Sequence, residues 1–249
     1  MAYSEKWFSN RPAPNRALRI FCFPFAGGGG KTYLGWQSHF PEAVDIVPVQ
    51  LPGRENRLGE APFHSMSALV EALLPVFRPH LEKPFAFFGH SMGAKVAFEL
   101  ALALEDLRLP GPRCLFLSAS RAPHIPEPAP LHHLERKEFA DALRRFGATP
   151  EAVLQNEELL DLFLPLLRAD FTLDETYARG RGQCRVSSPI HVLYGSDDDE
   201  APENEVLPWG EYTAQQFSAT KFSGGHFFFK DNPAILAETL CALLETRPN

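Results

Sequence analysis

Pro84-Phe85-Ala86-Phe87-Phe88-Gly89-His90-Ser91-Met92-Gly93-Ala94-Lys95-Val96-Ala97-Phe98-Glu99-Leu100 is the stretch that decides the fold. An apolar run of strand length ends at Gly89, and good helix formers begin after Gly93, with Val96, Leu100, Leu102 and Leu104 recurring roughly on one face. Between them lies Gly89-His90-Ser91-Met92-Gly93, a Gly-x-Ser-x-Gly in the strand, tight turn and helix context that makes it meaningful. At such a turn the serine adopts a strained backbone that lifts its hydroxyl above the sheet edge. Side chains two residues either side would then collide with neighbouring backbone. The Met92 N–H begins a helix without an intrahelical acceptor, so it can receive a developing oxyanion.

The flanking chain alternates strand and helix. Arg19 to Phe23, Val44 to Val49, Cys114 to Ser120, Pro189 to Tyr194 and Ala219 to Phe222 read as further strands; Ser67 to Phe77 and Pro233 to Glu245 read as helices. Alternation of this kind predicts a mostly parallel central sheet with helices on both faces. From about 123 to 183 no strand-like run occurs. Helical patterns over 134–143 and 151–168 take its place, the second with an expected apolar stripe of Leu159, Leu162, Phe163, Leu166 and Leu167. Beside an active site such an insertion reads as a lid, the alternative being two more packing helices. No linker divides the chain, so 1–249 is expected to form one domain, with residues 1–16 lying as an arm over its surface.

The 249 residues carry 45% apolar side chains, enough for a large core, with 21 phenylalanines dominating the aromatics. A net charge of −7 argues against nucleic acid or an anionic membrane as a non-specific partner. The four cysteines lie far apart, and Cys22, Cys114 and Cys241 sit in apolar runs where buried free thiols are expected. Met1 to Lys6 lacks the apolar core of a signal peptide and no run is long enough to span a bilayer, so a soluble, cytoplasmic protein is expected.

A serine hydroxyl needs a base, and the base needs an acid to fix its tautomer, in the chain order serine, acid, histidine. His226 follows the last strand, between glycines and phenylalanines, and is the expected base. The strand ending at Tyr194 runs into Asp197-Asp198-Asp199-Glu200, from which Asp198 is the expected acid, with Asp197 next and Asp199 adjacent. As a metal site the same run lacks the calcium-loop pattern, and no histidine pair suits zinc. The loop after the first strand, Pro24-Phe25-Ala26-Gly27-Gly28-Gly29-Gly30-Lys31-Thr32, ends like a phosphate loop, but Phe25 stands where that motif needs glycine. Its expected role is to supply the second oxyanion N–H, from Phe25 first and Ala26 second. Together these residues predict acyl transfer through an acyl-enzyme on Ser91, with no cofactor and no metal.

Five segments carry a resemblance over nearly the whole chain: Phe23-Pro24-Phe25-Ala26-Gly27-Gly28, Leu51-Pro52-Gly53-Arg54-Glu55-Asn56-Arg57, the elbow itself, Leu164-Pro165-Leu166-Leu167-Arg168-Ala169-Asp170-Phe171 with Glu175 and Tyr177, and Gly224-Gly225-His226-Phe227. In these the chain resembles the type II thioesterases, free-standing editing enzymes of polyketide and non-ribosomal peptide synthesis with the α/β-hydrolase fold. The resemblance implies hydrolysis of acyl groups from the phosphopantetheine thiol of acyl or peptidyl carrier proteins, and it extends to the medium-chain thioesterases of fatty-acid synthesis. It also implies an acidic carrier as partner, which would need a local basic or apolar patch. Arg54, Arg57 and Lys31 are candidates, the two arginines being equally suited to internal ion pairs. Rival readings are a carboxylesterase or lipase with the same triad, and a non-catalytic binding protein on the same fold.

Overall fold

Two-residue alternation within each strand builds the molecule. In the computed structural model, which describes residues 5–146, 149 and 151–245, β1 (Leu18–Phe23) sends Phe21 and Phe23 into one core and Ile20 and Cys22 into another. β3 (Phe85–His90) does the same with Phe85 and Phe87 against Ala86 and Phe88. Strands apolar on both sides must be covered on both sides. α1 (Met66–Phe77) and α2 (Met92–Asp106) cover the first face; a ten-residue 3-10 segment at Gly30–His39 and the last helix, Pro233–Glu245, cover the second.

The sheet has six strands, every pairing parallel, in the order β2-β1-β3-β4-β5-β6, with β2 (Val44–Pro48), β4 (Leu115–Ser118), β5 (Ile190–Gly195) and β6 (Phe217–Phe222) completing it. The expected mostly parallel α/β sheet is therefore found, with strand ends shifted by a residue or two. The chain leaves β1 toward one edge and returns to its other side at β3, which makes the β1/β3 junction the topological switch point. Loops following the carboxyl ends of β1 and β3 meet there, and these carry the glycine run and Ser91.

The insertion between β4 and β5 is helical, as expected, and comprises α3 (Arg136–Phe146), α4 (Glu151–Leu154) and α5 (Glu157–Glu175). One expectation is corrected here: Leu159 and Leu162 are exposed, and the stripe that packs the insertion's own small core is Leu160, Phe163, Leu164, Leu167 and Phe171. Phe163, Leu166 and Leu167 pack inward as expected; toward the start of the helix leucine occupies both 159 and 160, so periodicity alone fits either. Asn156 breaks the expected 151–168 helix by capping α5, its side chain accepting from the Leu159 N–H at 3.1 Å. The amino-terminal arm is also corrected. Trp7 and Phe8 are buried, and residues 7–9 pair with the end of β2, the Gln50 N–H donating to the Trp7 carbonyl at 2.7 Å. Among the described residues no cysteine forms a disulfide; Cys22 and Cys114 are buried, whereas Cys241, expected to be buried, is half-buried, as is Cys184. Among the described residues no helix is long and apolar enough to cross a membrane.

Candidate active site

Ser91 sits between β3 and α2 with φ 54° and ψ −121°, a backbone that side-chain-bearing residues rarely adopt. The elbow glycines are required by close approach. A Cβ on Gly89 would lie 2.1 Å from the Gly93 carbonyl oxygen, and one on Gly93 would lie 2.3 Å from that of Phe23. The turn is pinned by the Ser91 N–H donating to the Ser118 carbonyl at 2.8 Å.

Two loops at the far side of the sheet are laced together by backbone. The Ser196 N–H donates to the Phe222 carbonyl and the Asp197 N–H to the Gly224 carbonyl, while bare Gly195 lets the second loop pass within 2.5 Å of where its Cβ would be. This brings Asp198 to His226, whose Nδ1 lies 3.0 and 3.1 Å from the two carboxylate oxygens. Asp197 and Asp199 are exposed; Asp198 is buried and also accepts from the N–H groups of Glu200 and Ala201. Burial pulls its pKa up, but the His226 hydrogen bond and charge with those two N–H groups outweigh burial and hold it below the ordinary value.

Ser91 and His226 line one cavity of about 330 Å³, walled by Ala26 from the first loop and by Leu131, Ala142 and Phe171 from the insertion. Phe25 and Met92, the expected oxyanion donors, are not among the residues that line it, though each adjoins one that does, Ala26 and Ser91; among the described residues none accepts from the N–H of Phe25, Ala26 or Met92. Phe25 is held back because its ring packs on Phe227 and His90 beneath the Lys230 ammonium, leaving Ala26 as the first-loop residue on the cavity surface.

The first loop is not a phosphate cradle. Along its glycine run the N–H groups of Gly27, Gly28, Gly30 and Lys31 already have acceptors: Gly27 donates to Asp170, Gly28 to the Phe25 carbonyl, Gly30 to the Gln50 side chain and Lys31 to Glu55. Arg54 and Arg57, offered as docking cations, are both buried. Arg54 forms a two-pronged pair with Asp170 at 2.7 and 2.8 Å and donates to the Gly28 carbonyl. Arg57 binds the Gln50 carbonyl and Glu60 and stacks over Trp7. Lys31 remains exposed. Three of the segments behind the resemblance thus form one device. Asp170 of α5 ties the Pro-Gly-Arg segment to the first loop, Glu175 accepts from residues 131 and 132, and Tyr177 donates to Glu99 on α2 at 2.7 Å.

His90 escapes a motif-based reading. It is fully buried below His226, ring centroids 5.0 Å apart, with Nδ1 2.9 Å from the Ser118 hydroxyl. Burial, followed by the charges of His226 and Lys230, pushes its pKa well below the usual histidine value, so it packs as a neutral ring. Lys95, Arg121, Asp174 and Glu200 also reach the cavity, from positions with no motif between them.

An all-parallel sheet with an active-site elbow at its switch point is the α/β-hydrolase fold. The chain belongs to the thioesterase family: the family model for the thioesterase domain matches residues 18–244. It is 36% identical over 242 residues to the gramicidin S biosynthesis protein GrsT of Aneurinibacillus migulanus, covering 96% of this chain and 94% of that one. To the thioesterase PikA5 of Streptomyces venezuelae it is 38% identical over 221 residues, covering 88% and 78%. Among solved structures, the type II thioesterase BorB from the borrelidin biosynthetic cluster superposes with a TM-score of 0.84 at 34% identity, covering 96% and 98%. The resemblance to type II thioesterases is borne out, and the protein is a hydrolase of thioesters.

Proposed function

We propose that this thioesterase removes acyl groups from the phosphopantetheine thiol of carrier proteins in polyketide or non-ribosomal peptide synthesis, editing stalled or misprimed chains or releasing finished ones. The observation that carries the chemistry is the buried Asp198–His226 hydrogen bond opening onto the cavity that Ser91 lines. With Nδ1 committed to Asp198, the other ring nitrogen of His226 is the one left to act as base. Ser91 Oγ attacks the thioester carbonyl as His226 takes its proton. The tetrahedral oxyanion is met by the Met92 N–H and by a first-loop N–H from Phe25 or Ala26, groups whose freedom from other acceptors supports the assignment. The C–S bond breaks, His226 returns the proton to the departing thiolate, and the acyl group stays on Ser91. Water then adds to the acyl-enzyme with His226 as base, releasing the carboxylic acid and restoring the hydroxyl.

The insertion over 123–183 acts as the lid of a single domain, since its residues wall the cavity and side chains tie it to the first loop and α2. The cytoplasm, where carrier-bound chains are built, is the expected location. Incubation with a panel of acylated carrier proteins, read by mass spectrometry, tests the assignment. Loss of the acyl group from the carrier is expected at rates well above those on matched oxygen esters. Faster cleavage of the esters, with carrier thioesters left intact, would overturn the substrate class.

A further inference from the structure

The chamber that holds Ser91 and His226 is unusually charged for a site that must take an acyl chain. Lys95 and Arg121 line it together with four carboxylates, Glu127, Asp174, Glu175 and Glu200. Pocket walls are ordinarily apolar with a few placed polar groups, so each charge must be accounted for. Lys95 is matched by Asp174 at 2.9 Å. Arg121 is engaged from two directions, by Glu127 and by Glu205 at 2.5 Å. Glu175 accepts the Leu131 and His132 N–H groups and lies 2.6 Å from the His132 ring. Glu200 is different: among the described residues its carboxylate has neither a hydrogen-bond donor nor an ion-pair partner, although its backbone is fixed by Asp198. Both lining cations are already neutralised and one carboxylate is left over, a step from the acid that orients His226. The apolar recess of about 190 Å³ on the other side of Ala26, between Gly27, Phe163, Leu166 and Leu167, has neither Ser91 nor His226 on its wall. The reacting carbonyl is therefore held in the charged chamber.

Resting on the thioesterase reading above, we propose that this chamber is an electrostatic filter on the acyl group. It favours chains that end in an ammonium and rejects chains that end in a carboxylate, and Glu200 is the residue that sets this preference. Arg121 and His226 attract Glu200 without forming an ion pair with it, and an ammonium supplies the contact partner that its carboxylate lacks. A terminal carboxylate would add a further negative charge to a half-buried chamber already short of cations, where like charges interact through less water than at a surface. The carboxyl group of Glu200 is accordingly held above its ordinary pKa, by burial first and the Glu127 charge second. The selected class is thus an aminoacyl thioester, with neutral acyl groups intermediate and dicarboxylate half-thioesters poorest.

The test uses N-acetylcysteamine thioesters of three near-isosteric acyl groups, butanoyl, 3-aminopropanoyl and malonyl, with kcat/KM measured for the wild type, Glu200→Gln and Glu200→Lys. Comparing the ratio of each charged substrate to butanoyl across proteins cancels intrinsic ester reactivity and any general effect of residue 200 on the Asp198–His226 pair. Removing the charge is expected to lower the 3-aminopropanoyl/butanoyl ratio by about tenfold, the scale of one charge-assisted contact, and to raise the malonyl/butanoyl ratio. Glu200→Lys should invert the order. Ratios that stay the same in both variants, with butanoyl still hydrolysed, would overturn the filter alone. No hydrolysis of butanoyl by the wild type, nor of any acyl-carrier thioester, would instead remove the catalytic reading beneath it. Circular dichroism and melting temperature confirm that each variant is folded before its ratios are read.

Discussion

A hydroxyl that a protein holds at φ 54° is costly to place, and Ser91 is held there by glycine on both sides and by the Ser118 carbonyl. Ser91→Ala relieves none of that packing, so it should leave the melting temperature close to wild type. Thioester turnover should fall by about six powers of ten, and labelling by a fluorophosphonate should vanish. Asp198→Asn replaces an acceptor with an amide that can favour the wrong His226 tautomer, and a loss of about four powers of ten in kcat is expected. The same residue links stability to pH. Its pKa is lower in the folded chain than its ordinary 3.8, so ionised Asp198 stabilises the fold above that pH, and the contribution disappears as pH falls through the folded value. Urea unfolding of wild type and Asp198→Asn should therefore differ at neutral pH and converge in acid below 3.8. A difference that grew on acidification would contradict this sign.

At the scale of elements, the Arg54–Asp170 pair is the joint between α5, the Pro-Gly-Arg segment and the first loop. Both side chains are buried, and Asp170 also accepts the Gly27 N–H, so removing either partner strands a charge. Arg54→Ala or Asp170→Ala should cost about 3–5 kcal/mol in denaturant unfolding, and the double variant less than the sum of the two. Arg54→Lys should fail to restore stability, because one ammonium cannot reproduce two parallel N–H bonds. Because Ala26 and Gly27 are neighbours, turnover should fall in these variants along with stability. A variant that lost stability but kept full turnover would show that the joint does not position the oxyanion side of the site.

Over the whole molecule, two cores flank the sheet and the amino-terminal turn closes one of them. Trp7 is 1% exposed, packs against Phe63 and lies under the Arg57 guanidinium at 4.2 Å. Trp7→Ala should lower stability by about 3–5 kcal/mol, read as a shifted denaturation midpoint with little change in slope. If the segment were only a surface arm, the midpoint would stay put.

The sequence by itself determined the parallel α/β sheet, the elbow at Ser91, the helical insertion and the histidine after the last strand. These follow from short-range rules: apolar runs of strand length, glycines two residues either side of a serine, and a chain order that chemistry requires. Other features lay beyond it. Asp197, Asp198 and Asp199 are chemically identical, and only the lacing of the β5 and β6 loops buries the middle one against His226. Arg54 reads equally well as a docking charge or an internal ion-pair partner until a helix more than a hundred residues later brings Asp170 to it. Leu159 and Leu160 differ by one helical step, and the neighbour each one meets is set by how α5 lies on the insertion's core. Burial and pairing are properties of what surrounds a side chain, and in this fold those surroundings come from segments far apart along the chain. The tertiary structure alone decided which carboxylate, which arginine and which leucine take each role.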